Sequence, residues 1–110
     1  MNEVTKHLMS CLSEEAGEIV QDVSKSVRFG LSDRNVLNPD GPTNRERLEA
    51  ELNDLVAVAE LLVSAGALSA AWLDPERIAA KREKVLRFMD YAADVGALDD
   101  ANNFRATLKC

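Results

Sequence analysis

Apolar side chains between residues 4 and 23 recur mainly at intervals of three, four and seven. This spacing places them on one face of an α-helix. The pattern predicts a first helix from about Val4 to Phe29, and Gly30 follows where a helix end favours a residue with positive φ. The positions that define the face are Val4, Leu8, Cys11, Leu12, Ile19 and Val23.

The second helix is predicted from its capping residues. The sequence T-N-R-E at 43–46 can form a capping box, in which Thr43 caps the helix and Glu46 reaches back to it. This helix is expected to run to about Ala65 and to stop at Gly66. The intervening loop, LSDRNVLNPDGP, is rich in the residues that form turns.

The third helix begins at D-P-E (74–76), an N-cap aspartate followed by a proline at the first helical position. It is expected to continue to about Asp94 and end near Gly96, with one short helix in the tail from Leu98. No run of alternating β-branched residues competes with the helices. The sequence therefore predicts an all-α fold, a small antiparallel bundle of three main helices in a single domain, 1–110.

Composition restricts the class of protein. The chain has 13 basic and 19 acidic residues, for a net charge of −6, which disfavours a nucleic-acid surface. The apolar stretch at 55–73 contains Glu60, so a buried helix is expected rather than a membrane span. Cys11 and Cys110 imply no disulfide framework, and we expect a cytoplasmic protein.

Carboxylates stand on the predicted core-facing side of two helices. The stretch SEEAGEIV (13–20) carries Glu14, Glu15 and Glu18, and the second helix carries Glu51 and Asp54. On the first helix one line at spacings of three and four contains Leu8, Cys11, Glu15, Glu18 and Asp22. On the second helix two lines repeat every seven residues. One contains Glu51, Val58 and Ala65, and the other contains Asp54 and Leu61. Carboxylates in such positions are costly unless something positive pairs with them.

Two helices that each offer carboxylates at i and i+3 can direct four oxygen ligands into one gap. Hard oxygen ligands suit Mg²⁺, with Mn²⁺ as the alternative. Zinc is disfavoured because His7 and the two scattered cysteines supply no plausible ligand set. Asp22 is expected to pair with Lys25 and is left out of the metal site.

E-E-A-G-E (14–18) followed by E-L-N-D (51–54) resembles the EExxE…ExxD signature of the MazG-like all-α nucleoside triphosphate pyrophosphohydrolases. The resemblance extends through SKSVRFG (24–30) and AKREKV (80–85). Two departures stand out, a longer interval between the motif halves and Asn53 in place of a common glycine. Neither changes the spacing of the carboxylates within its motif.

The resemblance implies Mg²⁺-dependent hydrolysis of a (deoxy)nucleoside triphosphate at its α-phosphate, which gives the monophosphate and pyrophosphate. By analogy the metal ligands are Glu15, Glu18, Glu51 and Asp54, and Glu14 is the catalytic group that would orient or deprotonate the attacking water, or else bind a further ion. Without these five carboxylates the chain would carry 13 basic and 14 acidic residues, so much of the net charge lies in this proposed site.

Basic residues are expected to bind the substrate phosphates. Lys81 shares a helical line with Ile78, Val85 and Phe88, so it is expected to point at least partly toward the core. Lys84 lies about one turn further along. Lys81 and Lys84 both lie in AKREKV (80–85), which is part of the resemblance to the MazG-like family. Lys25 and Arg28 follow the first motif and are further phosphate-binding candidates.

Other functions remain open at this point. A member of the same superfamily could act on dUTP or phosphoribosyl-ATP. A carboxylate-bridged di-iron bundle would require Glu-x-x-His pairs, which the position of His7 does not provide. A non-enzymatic interaction module with acidic helices would require no metal.

We also expect a homodimer or a dimer of dimers. Three main helices leave an incomplete core, and AVAELLVSAGALSAAWL (57–73) offers much apolar surface. The resemblance implies the same assembly.

Overall fold

The computed structural model describes residues 1–99 and 101–108. Within these residues the chain is all-α, with no β-strand and one isolated bridge between Arg34 and Thr43. The predicted all-α fold class is confirmed. Cys110, one of the two cysteines considered in the sequence, lies outside the described residues. The helices are α1 (Glu3–Phe29), α2 (Asn44–Ser64), α3 (Pro75–Asp94) and α4 (Ala101–Thr107).

Helix α1 begins one residue before the predicted start at Val4 and ends at Phe29, as predicted. At its start the Asn2 side chain accepts a hydrogen bond from the Thr5 backbone N–H (2.8 Å). At its end Gly30 adopts a φ of 96°, a conformation that side chains with a Cβ rarely take. The Gly30 N–H donates to the Ser26 carbonyl (2.8 Å) and closes the last turn.

The caps of α2 and α3 are also those predicted. Thr43 and Glu46 form the capping box, since the Thr43 hydroxyl accepts from the Glu46 N–H (3.1 Å) and Glu46 accepts from the Thr43 N–H (3.0 Å). Asp74 accepts from the N–H of Glu76 (2.9 Å), and Pro75 takes the first helical position. These contacts satisfy backbone donors that a helix start leaves unpaired.

The chain divides into two compact units, Met1–Ala70 and Ala71–Cys110. In the first unit α1 and α2 pack against each other in antiparallel orientation, because Asp22 of α1 pairs with Arg47 near the start of α2, while Glu15 of α1 lies beside Glu51 further along it. Its buried apolar residues are Ala59 and Leu62 of α2.

The second unit contains α3 and α4. Leu86 of α3 is its buried apolar residue. Arg105 of α4 binds Asp90 of α3 through Nη2 (2.7 Å) and Nε (3.0 Å), and Nη2 also donates to the Leu86 carbonyl (3.2 Å). This two-pronged pair holds the short helix on its neighbour.

Among the described helices, none is long and apolar enough to cross a membrane.

Candidate metal centre

The buried side of α1 carries the first motif. Glu15 and Glu18 are half-buried, and Asp22 one turn further is buried, with 6% of its surface exposed. Glu14 projects to solvent from the same turn as Glu15. The line predicted from spacings of three and four, from Leu8 to Asp22, is therefore the buried side of α1.

The buried side of α2 carries Glu51 but not Asp54. Glu51 is half-buried and lies on the same face as Val58, Ala59 and Leu62. Asp54 and Leu61 are exposed, so the prediction that they share the core-facing side is wrong within this chain. Successive helical residues turn by about 100°, so Asp54 and Leu61 lie about 60° and 80° from Glu51 in one direction around the axis. The buried residues Ala59 and Leu62 lie in the other direction, which leaves Asp54 and Leu61 at the edge of the buried face.

Glu15, Glu18 and Glu51 converge across the helix pair. Each offers one carboxylate oxygen, and these oxygens all lie within 4.8 Å of one another. We call these three residues the carboxylate cluster. Oε2 of Glu15 and Oε2 of Glu51 are shielded from solvent, and when the three carboxylates are ionised these oxygens have no hydrogen-bond donor among the described residues.

The cluster raises the pKa of Glu51 to about 8. Hydrogen bonding to the Glu15 carboxyl contributes most, followed by hydrogen bonding to Glu18. Burial and the repulsion between the carboxylates act in the same direction. A proton on Glu51 supplies the donor that three ionised carboxylates lack, so the site favours a positive charge at this point.

The donor set fits a hard divalent cation. Three carboxylates from two helices supply oxygen ligands only, and two of the oxygens lack another partner. Mg²⁺ binds through such oxygens and retains water in its remaining positions. The described residues bring no histidine or cysteine to the cluster, which does not suit zinc.

The other predicted metal and catalytic residues lie outside the cluster. Asp54 follows Glu51 by three residues on α2, and Glu14 precedes Glu15 on α1. Both side chains are exposed. The structure therefore brings together three of the four predicted ligands.

The predicted phosphate-binding cations are distributed over both units. Lys25 is half-buried and lines a pocket at the end of α1, whereas Arg28 is exposed and stacks on Phe29, 5.1 Å from the ring centre. Lys81 and Lys84 are exposed on α3, where they line a shallow depression with Arg77. The expectation that Lys81 points partly toward the core is wrong in this chain.

The sequence interpretation missed a polar network beside the cluster. Asp22 pairs with Arg47 (3.8 Å) and not with Lys25 as predicted. Arg47 lies four residues before Glu51, so the antiparallel packing brings it to Asp22. Asn44 is 1% exposed, accepts a hydrogen bond from Arg47 and donates to the Gly30 carbonyl (2.9 Å). The sequence feature that could have indicated this network is the spacing of Asn44, Arg47 and Glu51, which places them on one face of α2.

Comparison with known proteins adds no relative, because no family model, curated protein or solved structure matches this chain.

Proposed function

We propose that this protein is a Mg²⁺-dependent nucleotide pyrophosphohydrolase that cleaves a nucleoside triphosphate at the α-phosphate. The observation that carries the proposal is the carboxylate cluster, Glu15, Glu18 and Glu51, with oxygens within 4.8 Å of one another. Three carboxylates held this close in a half-buried seam favour a bound cation. The similarity of their motifs to the MazG-like signature supports the same function.

The cation would supply Lewis-acid stabilisation of the charge that develops on the phosphates, with Mn²⁺ as a substitute. Glu15, Glu18 and Glu51 would hold it between α1 and α2. Asp54, exposed on the next turn of α2, is proposed as a further ligand. Each carboxylate must lose its proton to bind a cation.

Glu14 is proposed to position the attacking water and to accept its proton. Its exposed side chain adjoins Glu15, so it can remain accessible to water while its neighbour binds the cation. Lys25, Arg28, Lys81 and Lys84 are proposed to bind phosphate oxygens. Of these, Lys25 is on the same buried side of α1 as the cluster.

The protein is further proposed to be cytoplasmic and to act as a homodimer or a dimer of dimers. The free thiol of Cys11 is compatible with a reducing compartment. Exposed apolar side chains on α2 favour association, among them Leu52 (46% exposed), Val56 (43%) and Leu61 (53%).

Product identification tests the proposed reaction. A panel of ribo- and deoxyribonucleoside triphosphates is incubated with Mg²⁺ and, separately, with chelator. Monophosphate and pyrophosphate are expected only with Mg²⁺, and diphosphate with orthophosphate would contradict attack at the α-phosphate.

Matched variants tie the reaction to the cluster. Glu18→Gln and Glu51→Gln each keep the size of the side chain and replace a group that can bind a cation as a carboxylate with a neutral amide, so turnover is expected to be lost with folding intact. Glu49→Gln is the control, since Glu49 is exposed on α2 and outside the cluster. Full activity of Glu18→Gln would remove the cluster from the mechanism.

A further inference from the structure

A second polar site lies at the end of the α1–α2 pair. A pocket of about 340 Å³ opens between the last turn of α1, the loop at 31–43 and the first turn of α2. This volume is within the range of small-molecule sites. Side chains that line it include Lys25, Phe29, Arg34, Val36, Asn44 and Arg47.

The loop that forms this pocket is fixed to the start of α2. The Asn44 N–H donates to the Asp33 carbonyl (2.9 Å), and the Arg45 N–H donates to the Leu31 carbonyl (3.0 Å). The buried Asn44 side chain adds its bond to the Gly30 carbonyl (2.9 Å). Because both ends of the loop are held by hydrogen bonds, the pocket is formed before any ligand enters.

Among the described residues, two cations of the pocket form no ion pair with a carboxylate, although the charge of Arg34 reaches Glu46. Hydrogen bonds from Thr43 lower the pKa of Glu46 most, and the charge of Arg34 lowers it further. Arg47 is paired with Asp22, but no carboxylate of residues 1–99 or 101–108 lies within 4.0 Å of Lys25 or Arg34. Asp33 also lines the pocket and offsets part of their charge. Three cations and one carboxylate line the pocket, and this excess of positive charge favours an anionic ligand.

Arg34 is held in place with its donors available. Its Nε donates to the Gly41 carbonyl (3.0 Å), which restrains the guanidinium. Its Nη1 and Nη2 donate no hydrogen bond to the part of the chain that the structure describes. A planar guanidinium with two available nitrogens matches a phosphate group.

The pocket adjoins the carboxylate cluster along both helices. Lys25 follows Glu18 by seven residues, about 10 Å along the axis of α1. Arg47 precedes Glu51 by four residues, about 6 Å along α2. A chain of phosphate groups with one end at the cluster can therefore extend toward the pocket.

We propose that this pocket binds the terminal phosphates of the substrate, the part that leaves as pyrophosphate, through Arg34 and Lys25. The inference rests on the proposed function for the identity of the substrate. Phe29 and Val36 line the pocket beside the two cations and are 61% and 88% exposed, so the pocket is open to a phosphate chain that enters from solvent. The nucleoside would then lie on the other side of the cluster.

Binding of inorganic tripolyphosphate in the presence of chelator tests the proposal without metal or hydrolysis. Calorimetric titration of the full chain should show binding that Arg34→Gln weakens by about tenfold or more, because a charge-assisted hydrogen bond is lost. Arg45→Gln is the matched control, since Arg45 is an exposed cation that does not line the pocket. It should change the affinity by less than about twofold.

A second variant protects the test against misfolding. Lys25→Gln should also weaken binding, and circular dichroism checks that each variant is folded. No binding by the unaltered chain, equal losses in Arg34→Gln and Arg45→Gln, or displacement of tripolyphosphate by an unphosphorylated nucleoside would overturn the proposal. Nucleotide hydrolysis measured in parallel separates this failure from failure of the proposed function, since tripolyphosphate binding requires no turnover.

Discussion

At the scale of single residues, the protonation of Glu51 contributes to the stability of the fold, and the proposed Mg²⁺ would compete with that proton. Its carboxyl has a pKa of about 8 in the folded chain, against 4.5 for an unperturbed glutamate. The folded state therefore holds a proton between these two values that the unfolded state has released. This contribution to stability is fully present below about pH 4.5 and is lost as the pH rises through about 8.

We predict that, in chelator, the free energy of unfolding of the unaltered chain falls more steeply between about pH 4.5 and about pH 8 than that of Glu51→Gln. Added Mg²⁺ should raise the thermal midpoint of the unaltered chain most at the upper end of this range, because the cation replaces the proton. Thermal unfolding across the pH range measures both effects. Identical pH dependence in Glu51→Gln would contradict the coupling, and Glu49→Gln serves as the control.

The buried amide of Asn44 is the second residue with a specific prediction. Asn44→Ala removes the donor to the Gly30 carbonyl and the acceptor for Arg47. We expect a loss of about 1–3 kcal/mol in the free energy of unfolding, because buried polar groups lose their partners. Denaturant unfolding measures this loss.

Asn53→Ala is the control for this change. Asn53 is exposed on the same helix and donates only to the Glu49 carbonyl (2.7 Å). A change within about 0.5 kcal/mol is expected there. Equal effects of the two substitutions would show that the Asn44 network does not stabilise the loop.

At the scale of elements, the capping box sets where α2 begins and so where Glu51 lies. Thr43→Ala removes the hydroxyl that accepts from the Glu46 N–H. We expect a loss of about 1 kcal/mol of stability, and Thr43→Ser should retain most of it because the hydroxyl remains. Equal stability of Thr43→Ala and the unaltered chain in denaturant would contradict the role of the cap.

Local signals predicted the helices well because each boundary is encoded within a few residues. Each cap bonds or shapes backbone groups within a few residues of itself. The caps are Thr43 with Glu46, Asp74 with Pro75, and Gly30. The carboxylate cluster was predicted in part. Glu15, Glu18 and Glu51 follow from helical spacing, whereas the exposure of Asp54 depends on how α2 is rotated against α1.

The pocket at the loop could not be predicted in the same way. Arg34 and Asn44 are ten residues apart, and only the pairing of the loop ends brings their side chains to one site. A loop rich in Asn, Asp, Pro and Gly predicts turns but not which side chains converge. Long-range contacts of this kind require the folded chain.

At the scale of the whole molecule, exposed apolar surface leads to a prediction about assembly. Among the described residues the buried apolar side chains are Ala59, Leu62 and Leu86, whereas many others, such as Leu61 and Phe88, are exposed. We expect two or four copies of the 12.0 kDa chain in solution. Multi-angle light scattering at micromolar concentration measures the mass, and a 12.0 kDa particle would contradict the prediction.

The most direct test of the central claim follows the oxygen atom of the attacking water. Hydrolysis of a nucleoside triphosphate is run in water enriched in oxygen-18, with Mg²⁺ and with chelator, and the products are analysed by mass spectrometry. If the carboxylate cluster supports attack at the α-phosphate, the label enters the nucleoside monophosphate, pyrophosphate stays unlabelled, and both products require Mg²⁺. Label in pyrophosphate or orthophosphate, or no Mg²⁺-dependent turnover of any nucleotide, would contradict the account.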